Sequence, residues 1–249
     1  MKPFLWARKY PVVKFASTSA TLDPVIVSTG DIVWRWADGT ESYAANPGSK
    51  DMSGTDGKHE LVVRGWDTVT QLDFQSDELT SFEGLQYLTS LTYLHLRYNS
   101  LTEIGVVTNL TSLTYLSLGN NSLTEIGVVT NLINLTHLHL SGDSLTEIGV
   151  VTNLTNLTYL ALGSNSLTDV GRLNTQHSLT SVYVQDSSFD ALRVDRALCD
   201  VAESVAAHAR VGTKNISGNV APTDGSGTGF DGIQAVADLV AAGWAVTTD

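Results

Sequence analysis

The sequence predicts an α/β solenoid: a right-handed coil with a parallel concave sheet, an N-terminal β-sandwich-like cap and a C-terminal α/β cap. Three observations carry this reading. A 22-residue unit recurs in register from residue 69 to about residue 190. Before it, residues 1–68 fall into short β-prone runs separated by Gly, Asp, Pro and Ser. After it, residues 191–249 change to apolar positions at helical spacing. The expected division is therefore 1–68, 69–190 and 191–249.

The N-terminal runs are Val12-Val13-Lys14-Phe15, Val25-Ile26-Val27, Ile32-Val33-Trp34-Arg35-Trp36 and Glu60-Leu61-Val62-Val63. Trp34-Arg35-Trp36-Ala37-Asp38-Gly39-Thr40 resembles the W-x-F-G-D-G-T turn of polycystic-kidney-disease-type β-sandwiches, with Ala37 in place of the usual glycine. A module of this kind is expected to cover the apolar end of the first coil.

Four copies of the repeat begin at Leu91, Leu113, Leu135 and Leu157, each opening with the form L-T-x-L-x-L. A diverged copy begins at Val69 and a partial one at Leu179. Strand alternation points Leu94 and Leu96 inward, and likewise Leu116 and Leu118, Leu138 and Leu140, and Leu160 and Leu162. Ile104, Val107, Leu110 and Leu113 line the rest of one coil. A single coil has no core of its own, so stacking must supply it. The segment IGVVTNL mixes Gly, β-branched residues and Asn. It is a poor α-helix and predicts a 3₁₀ turn or an extended stretch.

The pattern L-x-x-L-x-L-x-x-N-x-L at this period is similar to the leucine-rich repeat. The 22-residue length and the wording LTEIGVVTNLTNLTYL resemble the short bacterial type of internalin-like surface proteins. The resemblance implies that Asn99, Asn121, Asp143 and Asn165, with Asp77 before them, are structural, bonding backbone groups of the turn from inside. Asp accepts but does not donate, so the coils that carry it should have a weaker ladder.

In the C-terminal region an amphipathic helix is expected over about 192–209 and a strand near Thr213–Ser217. A second helix over about 231–242 should end at Gly243, followed by a strand at Trp244–Thr247. This layout resembles the cap of some bacterial and phage leucine-rich-repeat proteins. Its strands should extend the parallel sheet.

The string SLTEIGVVTNL is identical at 100–110, 122–132 and 144–154, while the outward strand positions differ. They read Tyr93/His95/Arg97, Tyr115/Ser117/Gly119, His137/His139/Ser141 and Tyr159/Ala161/Gly163, then Ser181/Tyr183/Gln185. A constant scaffold with one varied face, rich in Tyr and His, is what a binding surface requires. The expected partner-binding set is Tyr93, His95, Arg97, Tyr115, His137, His139, Tyr159 and Tyr183. Drift at good strand-forming positions is the competing explanation.

Other patterns carry less. His137 and His139 point to one face about 6.5–7 Å apart, which is loose for a single metal ion. Glu103, Glu125, Glu147 and Asp169 stack as an acidic edge that reads as solvated. Gly227-Thr228-Gly229-Phe230-Asp231-Gly232 spells G-x-G-x-x-G, but no βαβ unit follows it before the chain ends. Cys199 lies in a cap helix without an adjacent base and reads as an inert thiol. No nucleophile–base–orienter set emerges, so neither an enzyme nor a cofactor is expected.

The chain has 26 acidic against 14 basic residues, a net charge of −12. That excludes phosphate-neutralising nucleic-acid binding and attraction to anionic membranes. No apolar run is long enough to span a bilayer, and Met1–Tyr10 lack a leader-like apolar stretch. The expected function is non-enzymatic binding of a protein or glycan on a cell surface or virion, as in a phage decoration or host-attachment protein. An intracellular scaffold and a purely structural virion component are the alternatives.

Overall fold

The structure, a computed structural model, describes residues 12–19, 21–22, 24–28, 32–36, 38–42, 50–51, 58–63, 69–187 apart from 106, 128, 150, 169–171 and 174, then 202, 213–215 and 232–247. Cys199, Asp169, the glycine-rich run before Gly232 and most of the expected 192–209 helix lie outside the described residues.

The N-terminal module contains β1 (Val12–Ser17), β2 (Thr21–Leu22), β3 (Val25–Ser28), β4 (Ile32–Arg35), β5 (Glu41–Ser42), β6 (Lys50–Asp51) and β7 (Lys58–Val63). The first repeat supplies β8 (Val69–Asp73) and β9 (Leu79–Glu83). One antiparallel sheet has the order β5-β4-β7-β1-β9. The turn between β4 and β5 forms where the Trp-Ala-Asp-Gly-Thr motif stands. Asp38 Oδ1 accepts from the Thr40 N–H at 2.9 Å, and Gly39 takes φ +80°, a left-handed value that glycine adopts without strain.

Module and coil are joined by main-chain pairing across the expected boundary at residue 68. β3 pairs antiparallel with β8, so it becomes the edge strand of the repeat sheet. Reciprocally, β9 of the first repeat pairs with β1 inside the module's sheet. Phe74 and Phe82 of that repeat pack with Phe15 and Trp34 of the module. Phe15 lies 5.0 Å from Phe74, and Phe74 lies 5.6 Å from Phe82, in edge-on arrangements. The apolar end of the first coil is thus covered by aromatic rings, as expected.

The coil continues through β10 (Tyr93–His95), β11 (Tyr115–Ser117), β12 (His137–His139), β13 (Tyr159–Ala161) and β14 (Ser181–Tyr183). These are parallel neighbours in strict register, with Leu94, Leu116, Leu138, Leu160 and Val182 in one row. Every member of that row is fully buried. The solenoid makes about five turns. Its convex side carries i→i+3 bonds, such as Leu110 N–H to Val107 at 2.9 Å and Leu132 N–H to Val129 at 2.9 Å, as expected of a 3₁₀-type turn.

Beyond the repeats lie β15 (Thr213–Asn215), α1 (Gly232–Ala241) and β16 (Ala245–Thr247). Both strands extend the parallel sheet, giving the order β16-β15-β14-β13-β12-β11-β10-β8-β3. Ala235 and Leu239 bury one face of α1. The helix stops at Gly243 (φ +86°), where Trp244 N–H bonds back to Leu239 at 2.9 Å. The inward position of β15 is Lys214, which is buried in line with Val182.

Two side-chain ladders fasten the coils together. Asn99 accepts from Leu79 N–H at 2.8 Å and donates to the carbonyls of Phe74 and Leu96 at 2.8 Å. Asn165 accepts from Leu145 N–H and donates to Leu140 and Leu162 in the same way. Asn121 repeats this geometry, and Ser187 continues it with one bond to Leu162. The second ladder is of threonine hydroxyls. Thr92, Thr114, Thr136, Thr158 and Thr180 each donate to the threonine carbonyl one coil earlier at 2.9–3.1 Å.

Asp143 breaks the asparagine pattern. Its Oδ1 accepts from Leu123 N–H at 3.0 Å, but Oδ2 is buried without a hydrogen-bond partner, at the atom where asparagine donates twice. Burial pushes its pKa up to about 7, against the lowering effect of the Leu123 and Asn121 N–H groups. The folded pKa therefore exceeds the unfolded one, near 3.9. The carboxyl costs no stability below about pH 4; its cost grows towards pH 7 and is constant above. Asp143→Asn should accordingly be nearly neutral at about pH 4 and stabilise by about 1–2 kcal/mol at about pH 8, allowing for solvent screening. Chemical denaturation at both pH values measures this; equal gains would contradict it.

Candidate binding face

Residues 93, 115, 137 and 159 open each strand and project from the sheet opposite the leucine row. Parallel pairing puts them one strand spacing apart, and their rings stack. Tyr93 and Tyr115 lie 4.4 Å apart at 15°, Tyr115 and His137 4.3 Å at 10°, and His137 and Tyr159 4.2 Å at 7°. All four are half-buried. The two inner rings, Tyr115 and His137, are stacked on both faces and the outer two, Tyr93 and Tyr159, on one, so the column shows mainly edges, hydroxyls and imidazole nitrogens to the outside. Burial pushes the Tyr93 hydroxyl up to about 12 and holds His137 down at about 4, so both are neutral at physiological pH.

The next row behaves differently. His95 and His139 are buried, only 9% and 7% exposed, as are Ser117 and Ala161. Two members of the expected partner-binding set, His95 and His139, thus offer little surface. The reason is an alternation of size along the sheet. Large side chains fold down over small neighbours. His139 Nδ1 would lie 2.6 Å from a Cβ at Gly119, and Gln185 Cδ 2.5 Å from one at Gly163. Part of the variation between copies is therefore packing.

His95 Nδ1 lies 3.2 Å from Asp73 Oδ2 and 3.3 Å from the Tyr93 hydroxyl. Partial burial pushes the Asp73 carboxyl up, but His95, the Gln75 N–H and Tyr93 outweigh this and hold it below the usual value. Both contacts fall on the same ring nitrogen, so the ring is not arranged to relay a proton from one group to the other.

The ladder of main-chain bonds runs on past the strands, from Tyr98 N–H to Gly119 and from Asn120 N–H to Ser141. It ends in a turn whose residue is left-handed in every coil: Ser76, Tyr98, Asn120, Gly142, Ser164 and Asp186, with φ between 51° and 80°. Sequence reading missed this column. Its signal is Asn, Gly or Asp, types that tolerate positive φ, one residue before the ladder position at Asn120, Gly142 and Asp186, although Ser76, Tyr98 and Ser164 dilute it. Arg97 and Tyr183 are half-buried beside these turns. With Asn120, His139, Ser141, Gly142, Tyr159, Ala161, Ser164 and Gln185 they line a cavity of about 250 Å³.

Glu103, Glu125 and Glu147 stand exposed, outside the repeat strands. Among the described residues no group of three metal-ligating side chains converges, and no helix is long and apolar enough to cross a membrane.

Comparison with known proteins agrees with this geometry. Leucine-rich-repeat family models match residues 89–134, 111–154 and 153–173. Internalin C2 of Listeria monocytogenes is similar at 22% identity and TM-score 0.52, over 76% of this chain and 85% of that one. An internalin, inlF, of the same organism is similar at 21% identity and TM-score 0.44, over 72% of this chain and 62% of that one. A leucine-rich-repeat protein of Leptospira interrogans is similar at 22% and 0.47, over 66% and 38%. No curated protein matches the chain. The likeness to internalin C2 shows a shared fold.

Proposed function

Since residues 89–173 are leucine-rich repeats wound in an internalin-like coil, we propose that this chain is a non-enzymatic recognition module that binds a protein partner on its concave sheet. The stacked column Tyr93–Tyr115–His137–Tyr159 is the observation that carries this reading. Its rings are already ordered by one another, so little side-chain entropy remains to be lost on binding. Tyrosine is among the residue types that most often carry interface energy. A glycan reader needs open ring faces for sugars to lie against, and here both faces of the two inner rings and one face of each outer ring are occupied. Ring edges and hydroxyls suit peptide carbonyls and side chains instead. An extracellular or virion location is part of the proposal and is supported by the surface-type repeats alone; mass spectrometry of purified particles tests it.

The binding experiment is the double substitution Tyr115→Ala with Tyr159→Ala. Partner affinity, or adsorption to host cells, should weaken by about 2 kcal/mol or more. The loss of stacking should also cost about 1–3 kcal/mol of stability, so the assay belongs well below the melting temperature. Glu103→Gln with Glu125→Gln should leave binding unchanged. Normal binding by the double tyrosine variant would move the site to the N-terminal module and make the repeats a spacer.

A further inference from the structure

The geometry points to the cavity beside Arg97 as a carboxylate subsite, one that takes an Asp or Glu side chain of the partner protein. This rests on the reading of the concave sheet as a protein-binding face and adds what the face selects.

The lining has one cation and no acid, in a chain where acidic residues outnumber basic ones almost two to one. Arg97 is held in place from two sides. Its guanidinium carbon lies 4.4 Å over the Tyr98 ring. With the Asn120 amide turned to satisfy its neighbours, Oδ1 accepts from Arg97 Nε and Nη2 at 3.1 and 3.2 Å. A guanidinium has five N–H donors, so this clamp leaves most of them unspent. Among the described residues no carboxylate pairs with Arg97, although it is fixed in position and half-buried.

The rest of the wall is neutral and polar: Ser141, Ser164, Tyr159 and Tyr183 offer hydroxyls. His139 Nδ1 and Gln185 Oε1 are buried there without hydrogen-bond partners in the protein. Burial first, and the charge of Arg97 next, push His139 down to about 4, so it adds no second positive charge at neutral pH. One clamped cation amid neutral hydroxyls matches a single negative charge. A planar carboxylate meets a guanidinium through paired N–H bonds. A phosphate dianion would bring twice the charge to a site with one cation, on a protein whose net charge repels it.

The test needs no partner, so its outcome is independent of the binding experiment above. The intact chain is titrated with propionate, propionamide, inorganic phosphate and a methyl sialoside while the backbone N–H signals of Ser141 and Gly142 in the cavity wall, which remain after substitution of Arg97, are followed by ¹⁵N NMR beside the Arg97 Nε–Hε signal. Propionate should give a saturable shift and bind at least about fivefold more tightly than its neutral isostere propionamide. Arg97→Gln should abolish the response. Asn120→Asp, which sets a carboxylate against the guanidinium in a side chain of the same shape, should weaken propionate at least about fivefold with Arg97 still present. Equal binding of propionamide, a propionate response that survives Arg97→Gln, propionate affinity unchanged by Asn120→Asp, or tighter binding of phosphate would overturn the assignment. A sialoside that binds about tenfold more tightly than propionate would overturn the protein source of the carboxylate.

Discussion

Phe74→Ala is expected to cost about 3–5 kcal/mol, the largest loss at any single position considered. Phe74 is fully buried and occupies the place that Leu96, Leu118, Leu140 and Leu162 hold in later coils. Those leucines meet another coil on each side. Phe74 meets the module, and its ring contacts Phe15, Phe82 and Trp34 at 5.0, 5.6 and 6.1 Å. Alanine would open a cavity at the aromatic junction between the two parts. The surrounding rings are held by β1, β4 and β9 and have little freedom to collapse into it. Denaturant titration measures the effect. A loss below about 1 kcal/mol would mean that the module caps the coil through its strands alone and not through this cluster.

Leu138→Ala comes next, at about 2–5 kcal/mol. Leu138 is fully buried on the middle repeat strand, with Leu116 and Leu160 in register on either side. In a coil held together by neighbour contacts, a central position loses packing on two interfaces at once. Val182→Ala, nearer the end of the row and smaller, should cost less. A loss below about 0.5 kcal/mol at Leu138 would contradict the inward assignment of the row.

The period itself made most of the coil legible. A unit of 22 residues with Leu at fixed offsets leaves one way to pair the strands, and the ring column at Tyr93, Tyr115, His137 and Tyr159 follows from that register. The cap strand and helix after residue 212 were legible for local reasons: apolar spacing, and a glycine where the helix must stop. What could not be read depends on neighbours across the coil. His95 and His139 stand at outward positions, yet they are buried because Gly119, Ser117 and Ala161 leave room beside them. The first repeat spells Leu79-Thr80-Ser81-Phe82, an alternation that reads equally as a coil segment or a strand. β1 decides the matter by pairing with it. The threonine ladder was hidden because Thr before a strand is expected on propensity alone. The cavity at Arg97 is assembled from side chains of several coils, and no single 22-residue unit contains it.

The central claim is that the partner meets the aromatic column of the concave sheet. Hydroxyl-radical footprinting of the free and partner-bound chain tests it most directly, because Tyr93, Tyr115, His137 and Tyr159 are half-exposed and reactive. Oxidation of these four should fall in the complex, while Tyr87, exposed on another part of the coil, should be oxidised equally in both. Unchanged oxidation of the four, with protection confined to residues 12–63, would contradict the account.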